Sequence, residues 1–493
     1  MKGSVEMDGE RDHRGWMALG LIAVLTVVRL WVCSQFELIG DEAYYWRWSR
    51  HLDWCYYSKG PLVAWTIWLG TQIFGDTVLG IRFFSVGLGS GTLLLLYRLT
   101  RRVFSPRVAW WTLIMAACTP LFVIGSLLMT IDPIFIFFWL AAATSFWQAK
   151  DSDRVGPWVL TGALVGIGML AKYTNVALLP SFALFLAWTK PYRVHLRRPT
   201  FWLMCLAALL FLTPVLWWNA RHEWITLVHL QERGALDQAW RFSASEFLEY
   251  LGAQVAVYTP FFLVGILFSL IHGGVRRQAP VAYRFLASLV LPLLGLYTLL
   301  ALNDAGEANW TAPAIMSGLP LLAAAWLRLA DRHRGARVVA AGALPLAGLA
   351  ALLILIAPAV RIPKVDGLLY RVRGWKDLAT QVERIQKEEA LTFVIGGDYQ
   401  CASLMTFYRE GHPDAYIPHR PGIQNQYSFW PTYGPERAGQ DAIYLSRHDR
   451  VPDELRTQFG QIEPARKVWR HWKGRPVKPY YLFACRGLHL TTE

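Results

Sequence analysis

The sequence predicts a polytopic α-helical membrane protein with a C-terminal α/β domain outside the membrane. Of its 493 residues, 54% are hydrophobic and 17% are charged, whereas an average soluble domain has roughly 25% charged residues. The apolar residues are concentrated before position 360, and residues 361–493 have a mixed, charged composition. These observations exclude an ordinary soluble enzyme and predict a membrane domain over 1–360 followed by a water-exposed domain.

Eleven apolar segments predict membrane-spanning helices, because a helix needs ~20 mostly apolar residues to cross the hydrocarbon core. They are 16–36, 78–98, 108–128, 133–149, 156–171, 174–189, 201–218, 248–271, 285–302, 311–330 and 338–360. The first is too long for a cleaved signal peptide and predicts a retained anchor. Residues 61–74 are also apolar, and we interpret them as an interfacial helix.

The net charge of +14 is explained by its distribution over the loops. With the interfacial interpretation of 61–74, the loops on one side carry 20 basic residues and those on the other side carry 7. Basic residues accumulate in cytoplasmic loops, so the N-terminus is predicted inside, and no nucleic-acid partner is needed to explain the charge. The first external loop is then 37–77, and the domain 361–493, with strand-like segments at 391–396 and 441–446, lies outside the cytoplasmic membrane.

Polar and ionisable residues at the ends of the predicted spans gather on the external face. They are Asp41, Glu42, Lys59, Asp132, Lys172, Tyr173, Asn219, His222, Glu307 and Asn309. Ionisable groups at membrane depth are costly, so their default interpretation is functional. Carboxylates that accept a proton, together with cations that hold an anionic leaving group or lipid phosphate, predict a site for group transfer.

Each residue also has a simpler explanation. Asp41 and Glu42 open an amphipathic helical stretch, where the helix dipole alone favours carboxylates. Asp132 precedes a proline and fits the start of a helix. Lys59 and Lys172 fit side chains that extend to lipid headgroups. The combination therefore carries more information than any single member.

Seven segments together resemble the protein mannosyltransferase type of membrane glycosyltransferases, family 39 of the GT-C fold, which includes relatives of the lipid A aminoarabinose transferase. They are DEAYYWRWSRHLDWCYYSKGPLVAW (41–65), MTIDPIFIFFW (129–139), GIGMLAKYTNVALLP (166–180), PVLWWNARHEWITLVH (214–229), EANWTAP (307–313), GDYQCASLMTFY (397–408) and NQYSFW (425–430). The resemblance implies inverting transfer of a sugar from polyprenyl phosphate, undecaprenyl phosphate in most bacteria, to an external lipid, glycan or protein acceptor.

The resemblance also implies roles for individual residues. The catalytic carboxylate of the family corresponds to Asp41, with Glu42 beside it, and a second loop aspartate corresponds to Asp132. The donor phosphate is assigned to Lys59, Lys172 and Arg82. The residues assigned to substrate contacts are Tyr44, Tyr45, Tyr173, Asn219, His222, Glu307 and Asn309.

One departure from the family concerns a metal site. In aminoarabinose-transferase-like members the first-loop lysine follows a glutamate and precedes two prolines, whereas here Lys59 lies between Ser58 and Gly60. The missing glutamate argues against the divalent metal of that subgroup and against aminoarabinose as the sugar. His222 and His229 also lack the HExxH arrangement. We therefore assign neither a metal nor another cofactor.

Three alternatives stay open at this stage. A transporter or flippase of a lipid-linked sugar also has many spans, although transporters place their charges near the midplane of paired halves. An inactive scaffold has the same sequence features. In the external domain, the segments 396–400 and 425–427 fit an acceptor contact, closure over the site or ordinary turns. Cys401 and Cys485 are candidates for a disulfide bond.

Overall fold

The structure is a computed structural model that describes residues 2–234, 239–276, 278–303, 306–358, 360 and 368–489. Its α-helices are α1 Lys2–Cys33, α2 Gly40–Ser49, α3 Leu62–Phe74, α4 Val78–Val103, α5 Pro106–Ala117, α6 Pro120–Gly125, α7 Ile131–Ala149, α8 Val155–Met169, α9 Leu178–Trp188, α10 Pro199–Leu210, α11 Thr213–Arg221, α12 Ile225–Arg233, α13 Ala244–Tyr258, α14 Pro260–Ser269, α15 Val281–Ala301, α16 Ala312–Arg332, α17 Arg334–Ile356, α18 Trp375–Glu388, α19 Tyr399–Tyr408 and α20 Asp453–Arg456. The predicted start of the C-terminal domain at 361 lies outside the described residues.

Within the described residues, seven helices are long and apolar enough to cross a membrane, and an eighth span results if one bent pair is counted. This number differs from the eleven spans predicted. The seven coincide with the predicted spans at 16–36, 78–98, 133–149, 201–218, 285–302, 311–330 and 338–360. The protein is therefore an integral membrane protein, with fewer full-length helices than its apolar segments suggest.

The other four predicted spans are broken or short. Pro120 and Pro260 each begin a new helix, and the pair formed by α13 and α14 is bent by 101°. Proline lacks the N–H that would continue the preceding helix and disfavours helical geometry in the residue before it. Helix α8 has 15 residues, about 22 Å at 1.5 Å per residue, and the helical segment Tyr173–Trp188 is similarly short. Helix α3 has 13 residues, a length that fits an interfacial helix.

The C-terminal domain contains a six-stranded sheet. Its strands are β1 Phe393–Gly396, β2 Ala415–Tyr416, β3 Ala442–Ser446, β4 Phe459–Ile462, β5 Arg466–Trp472 and β6 Arg475–Leu488. The order is β2-β1-β3-β6-β4, with β5 also paired to β6. Strands β2 and β3 run parallel to β1, and the pairs made by β6 are antiparallel. The two strands predicted near 391–396 and 441–446 are confirmed as β1 and β3, which lie side by side.

One face of the sheet packs against the first loop of the membrane domain. Trp46 and Trp48 of α2 share a buried apolar cluster with Leu404 and Met405 of α19. The ring of Trp46 also contacts that of Phe407, with centroids 5.0 Å apart. This shared core joins the start of α2 to the sheet domain and positions the candidate site between them.

Cys401 and Cys485 do not form the disulfide bond considered from the sequence. Both are free thiols. Cys401 lies in the cluster between the sheet and α2, whereas Cys485 lies in a second cluster with Phe393 and Phe483. The two clusters lie on opposite faces of the sheet, because successive side chains of a strand point to opposite faces. The two sulfurs therefore lie on opposite sides of the sheet.

Candidate active site

Asp41 lies in the first turn of α2, where the sheet domain approaches the membrane domain most closely. A Cβ at Gly40 would stand 2.5 Å from the Cβ of Gln400, so the absence of a side chain at position 40 allows this approach. Gln400 Nε2 then donates a hydrogen bond of 3.0 Å to Asp41 Oδ1. Within the described part of the chain, Asp41 Oδ2 has no hydrogen bond. Asp41 therefore has one carboxylate oxygen available to a ligand.

Glu42, next to Asp41, forms a closed ion pair with Arg82. Arg82 Nε and Nη2 donate to its two carboxylate oxygens at 2.7 and 2.5 Å, and the backbone N–H groups of Met129 and Ile39 donate to it as well. The other three N–H groups of Arg82 bind the carbonyl oxygens of residues 33, 36 and 37. Both side chains are fully buried. This geometry does not fit the phosphate contact expected for Arg82 or a reactive role for Glu42.

Asp132 contacts two of the other predicted residues, Lys172 and Asn309. It lies in the first turn of α7, whose N-cap is Thr130. Lys172 Nζ donates to its Oδ1 at 2.9 Å, and Asn309 Nδ2 donates to its Oδ2 at 2.6 Å. Positions 132, 172 and 309 therefore meet as the sequence predicts, but both oxygens of this carboxylate are occupied.

Lys59 reaches the same region because the first loop packs against the end of α8. A Cβ at Gly60 would stand 2.2 Å from the carbonyl oxygen of Leu170, so glycine is required at this close approach. The ammonium of Lys59 makes no hydrogen bond or ion pair with the residues that the structure describes. Burial, and then the nearby charges of Lys172 and Arg233, lower the pKa of Lys59 to about 8. Lys172 and Arg233 therefore lie close enough to Lys59 for their charges to disfavour its own.

Tyr45 lies within range of the charges of Asp41 and Asp132. Burial raises its pKa well above the ordinary value, and the charges of Asp41 and Asp132 raise it further. Tyr399 of α19 also faces Asp41, and burial followed by that charge raises its pKa to about 12. Both phenols therefore stay protonated at neutral pH, and each retains an O–H group that can donate a hydrogen bond.

The sequence did not single out Arg233 as a site residue, and it named Tyr399 and Gln400 only as part of the segment 396–400. Arg233 is one of the few basic residues in the predicted external loops, which is the signal that would have identified it. It pairs with Glu307 and its guanidinium lies 5.9 Å from the ring centroid of Trp310. Gln400 belongs to the segment 396–400, in which Asp398 also caps α19. This segment is therefore both a turn and a contact to the first loop.

Four predicted substrate-binding residues have other partners. The hydroxyl of Tyr44 accepts the backbone N–H of Gln426, in the segment 425–427, which fixes the first loop against the sheet domain. The other three side chains form hydrogen bonds with neighbouring residues. Tyr173 bonds to Cys55, Asn219 to the backbone of Val215 and Thr226, and His222 to the carbonyl oxygen of Trp218. His222 also stacks on Trp218 with ring centroids 3.9 Å apart. These contacts hold the loops that surround the site.

The candidate site has no residue set suited to a metal ion. Among the described residues, no three or more His, Cys, Asp and Glu side chains are grouped as ligands. Lys172 and Asn309 occupy the oxygens of Asp132, and Arg82 occupies those of Glu42. These residues do not fit a divalent metal, and no step is assigned to one.

Comparisons with known proteins identify relatives of this chain. Residues 58–218 match the family described as dolichyl-phosphate-mannose-protein mannosyltransferase. The chain is 27% identical to the lipid A galacturonosyltransferase RgtD of Rhizobium johnstonii over 72% of this chain and 74% of that protein. It is 29% identical to the undecaprenyl phosphate-alpha-4-amino-4-deoxy-L-arabinose arabinosyl transferase of Pseudomonas aeruginosa over 53% of this chain, and the match spans about half of that relative (48%).

Solved structures share the fold. ArnT from Cupriavidus metallidurans superposes with a TM-score of 0.66 at 17% identity, covering 95% of this chain and 98% of that one. The archaeal oligosaccharyltransferase AglB from Archaeoglobus fulgidus gives 0.51 at 14% identity, covering 87% and 69%. The chain is a polytopic membrane protein with the GT-C fold. The chain is a glycosyltransferase, and the resemblance found in its sequence segments is confirmed.

Proposed function

We propose that the protein transfers a sugar, with inversion, from a polyprenyl phosphate, undecaprenyl phosphate in bacteria, to an acceptor outside the cytoplasmic membrane. The acceptor classes are lipid A, another envelope glycan or a protein hydroxyl. The names of RgtD and the arabinosyl transferases support a lipid-linked donor and a lipid A acceptor. The observation that carries the proposal is the oxygen of Asp41 that accepts no hydrogen bond from the described residues, within range of the charge of Lys59.

In this proposal Asp41 is the general base. The acceptor hydroxyl oxygen attacks the anomeric carbon, and its proton passes to Asp41 Oδ2. The bond from the anomeric carbon to the phosphate oxygen breaks, and the polyprenyl phosphate leaves with the electron pair. Attack from the side opposite the leaving phosphate inverts the configuration at the anomeric carbon.

The assignment of the base to Asp41 follows from the occupancy of the three carboxylates. Glu42 is sealed from solvent and saturated by Arg82. Asp132 uses both oxygens to hold Lys172 and Asn309. Asp132 is therefore a positioning residue that fixes the ammonium of Lys172, and Asp41 is the remaining carboxylate with an oxygen available to an acceptor.

The departing lipid phosphate needs charge stabilisation more than proton transfer. Lys59 supplies an ammonium group whose N–H donors are not used by the described residues, and Lys172 and Arg233 add positive charge beside it. Preorganised cations of this kind stabilise negative charge that develops in the transition state. Removal of one such donor typically costs about 10²–10³ in kcat.

The test is transfer from a synthetic undecaprenyl phosphate sugar by the purified protein and by Asp41→Asn. We expect the variant to fold and to bind undecaprenyl phosphate with unchanged affinity, but to lose transfer. Asp331→Asn is the matched control, since Asp331 forms an exposed ion pair with Arg107 far from the site. Retained transfer in Asp41→Asn would exclude Asp41 as the base.

The proposed orientation places the N-terminus in the cytoplasm and the site and sheet domain outside. The distribution of 20 basic residues on one set of loops against 7 on the other supports it. Reporter fusions after residue 102 and after residue 489 test it, with alkaline phosphatase expected to be active only at the second position. Phosphatase activity at residue 102 would reverse the orientation.

A further inference from the structure

A groove on the surface of the membrane domain lies between α4, α7 and α8. It has a volume of about 380 Å³, within the usual range of roughly 300–1,000 Å³ for small-molecule pockets. Its apolar lining residues are Leu95, Ala141, Pro157, Leu160 and Leu164. Leu160 is 55% exposed, so the groove is open on the side that faces lipid. None of the residues assigned to sugar transfer lines it.

The polar side chains of the groove leave it apolar along most of its length. The hydroxyl of Thr144 donates to the carbonyl oxygen of Leu140 at 2.7 Å. The hydroxyls of Ser145 and Thr161 are hydrogen-bonded to each other at 2.8 Å. Gln148, in the last turn of α7, is exposed, and its Oε1 accepts no hydrogen bond from the described residues. The groove therefore has one polar end, at Gln148.

The polar end lies far from the candidate active site. Asp132 is in the first turn of α7 and Gln148 is in its last turn. At 1.5 Å per residue, the helix spans about 24 Å between these positions, which approaches the ~30 Å thickness of the hydrocarbon core. The groove therefore ends near the membrane face opposite Asp132, which the proposed orientation places on the cytoplasmic side.

Three arginines lie at this end of the groove. Arg98 and Arg102 follow Leu95 of α4 by three and seven positions, so all three side chains lie on one face of that helix. Arg154 is the N-cap residue of α8 and precedes Pro157 of the groove by three positions. The three arginines are exposed, and none of their side chains forms an ion pair or a hydrogen bond with the described residues.

The carboxylates of the loop between α7 and α8 are already paired. Asp151 pairs with Lys150, and Asp153 pairs with Arg198. The ammonium of Lys150 also lies 4.0 Å from the ring centroid of Trp147. These contacts leave the positive charge at the end of the groove without a counter-ion among the described residues.

We propose that this groove binds one anionic glycerophospholipid, with an acyl chain along α4, α7 and α8 and its phosphate among Arg98, Arg102 and Arg154. An apolar groove that is open to the membrane matches the chain, and arginine guanidinium groups match phosphate oxygens with paired N–H donors. Basic pockets between membrane helices on the cytoplasmic side recognise anionic headgroups in this way. The inference goes beyond the proposed function and does not use Asp41.

The charge distribution favours a phospholipid over the polyprenyl phosphate of the proposed function. In that proposal Lys59 and Lys172 stabilise the polyprenyl phosphate, and Lys172 contacts Asp132 at the other end of α7. A lipid whose phosphate lies beside Arg98 and Arg154 has its headgroup at the opposite membrane face.

The experiment measures lipid binding to the purified, delipidated full-length protein by native mass spectrometry. The probes are phosphatidylglycerol and phosphatidylcholine with the same acyl chains, which differ in headgroup charge. We expect one phosphatidylglycerol molecule to bind at least about fivefold more tightly than phosphatidylcholine, because each basic residue near an anionic membrane surface contributes about fivefold in affinity. Equal affinities for the two lipids, or no binding of either, would overturn the proposal.

A double variant locates the headgroup. Arg98→Gln combined with Arg154→Gln is expected to lower the affinity for phosphatidylglycerol about 25-fold, at about fivefold per charge. The matched control is Arg332→Gln with Arg334→Gln, which removes two exposed cations outside the groove. The control positions lie where α16 meets α17, a junction that an ion pair joins to the start of α5 at the same membrane face. Equal losses in both double variants would indicate a general charge effect and overturn the assignment.

Two further measurements test the groove and its occupant. Ala141→Leu places a larger side chain in the groove and keeps the three arginines, so we expect weaker binding of both lipids. Unchanged binding in Ala141→Leu would show that the lipid associates with the charged surface alone, and the groove assignment would fail. Undecaprenyl phosphate serves as the competitor, and we expect it not to displace phosphatidylglycerol at equal concentration. Displacement would make the groove a polyprenyl phosphate site and overturn the choice of a phospholipid.

Discussion

The ion pair between Glu42 and Arg82 allows a structural role of Glu42 to be distinguished from a catalytic one. Glu42→Gln removes the negative charge and leaves the Arg82 guanidinium buried without its counter-ion. Four hydrogen bonds to Glu42 are altered, two of them charge-assisted bonds at 2.7 and 2.5 Å. Breaking one partner of a buried ion pair costs about 3–5 kcal/mol. We therefore expect a free energy of unfolding lower by about that amount.

The assay is unfolding in mixed micelles with increasing SDS, followed by tryptophan fluorescence. Asp41→Asn is the neighbouring comparison, and since Asp41 makes one hydrogen bond to a neutral amide, its effect on stability should lie within about 0.5 kcal/mol. The double variant Glu42→Gln with Arg82→Met should lose less than the sum of the two single variants, because it leaves no unpaired charge. A Glu42→Gln protein with wild-type stability and no transfer activity would refute the structural role and make Glu42 catalytic.

Three further predictions follow from the site. The pKa of Lys59 is lowered to about 8, so its charge is lost as the pH rises through that value. The donor KM should therefore increase above about pH 8. Lys59→Arg, which stays charged, should remove this dependence. Asp132→Asn should lower kcat for transfer about 10²-fold, because the Lys172 ammonium loses its carboxylate partner, and measurement of kcat and KM tests this. Thiol titration of the denatured protein should give the same count with and without reductant, because Cys401 and Cys485 are free.

Each of these predictions has a result that would contradict it. A donor KM that is flat from pH 6 to 10 would show that Lys59 does not hold the phosphate. Asp132→Glu serves as the control that keeps the charge, and equal losses in Asp132→Asn and Asp132→Glu would show that position rather than charge determines the effect. Two additional thiols after reduction would indicate a disulfide bond.

The sequence was sufficient to predict seven of the spans and to place Asp132, Lys172 and Asn309 on one face of the membrane domain. Span positions follow from local hydropathy, and charges at the ends of spans must lie at the membrane surface, so residues distant in sequence are limited to one face. Broken helices were missed because hydropathy does not report the effect of Pro120 and Pro260 on the backbone.

Residue type and position alone determined that this chain is a membrane protein with a polar site at the ends of its helices. Burying a charge in lipid is costly whatever the fold, so this part of the prediction does not depend on tertiary structure. The tertiary structure decided which carboxylate is available. Asp41 and Glu42 are adjacent in sequence, yet one keeps an open oxygen and the other is saturated by Arg82. Hydrogen-bond occupancy depends on the side chains that other segments bring into contact, and the contact of Gln400 with Asp41 joins positions 359 residues apart.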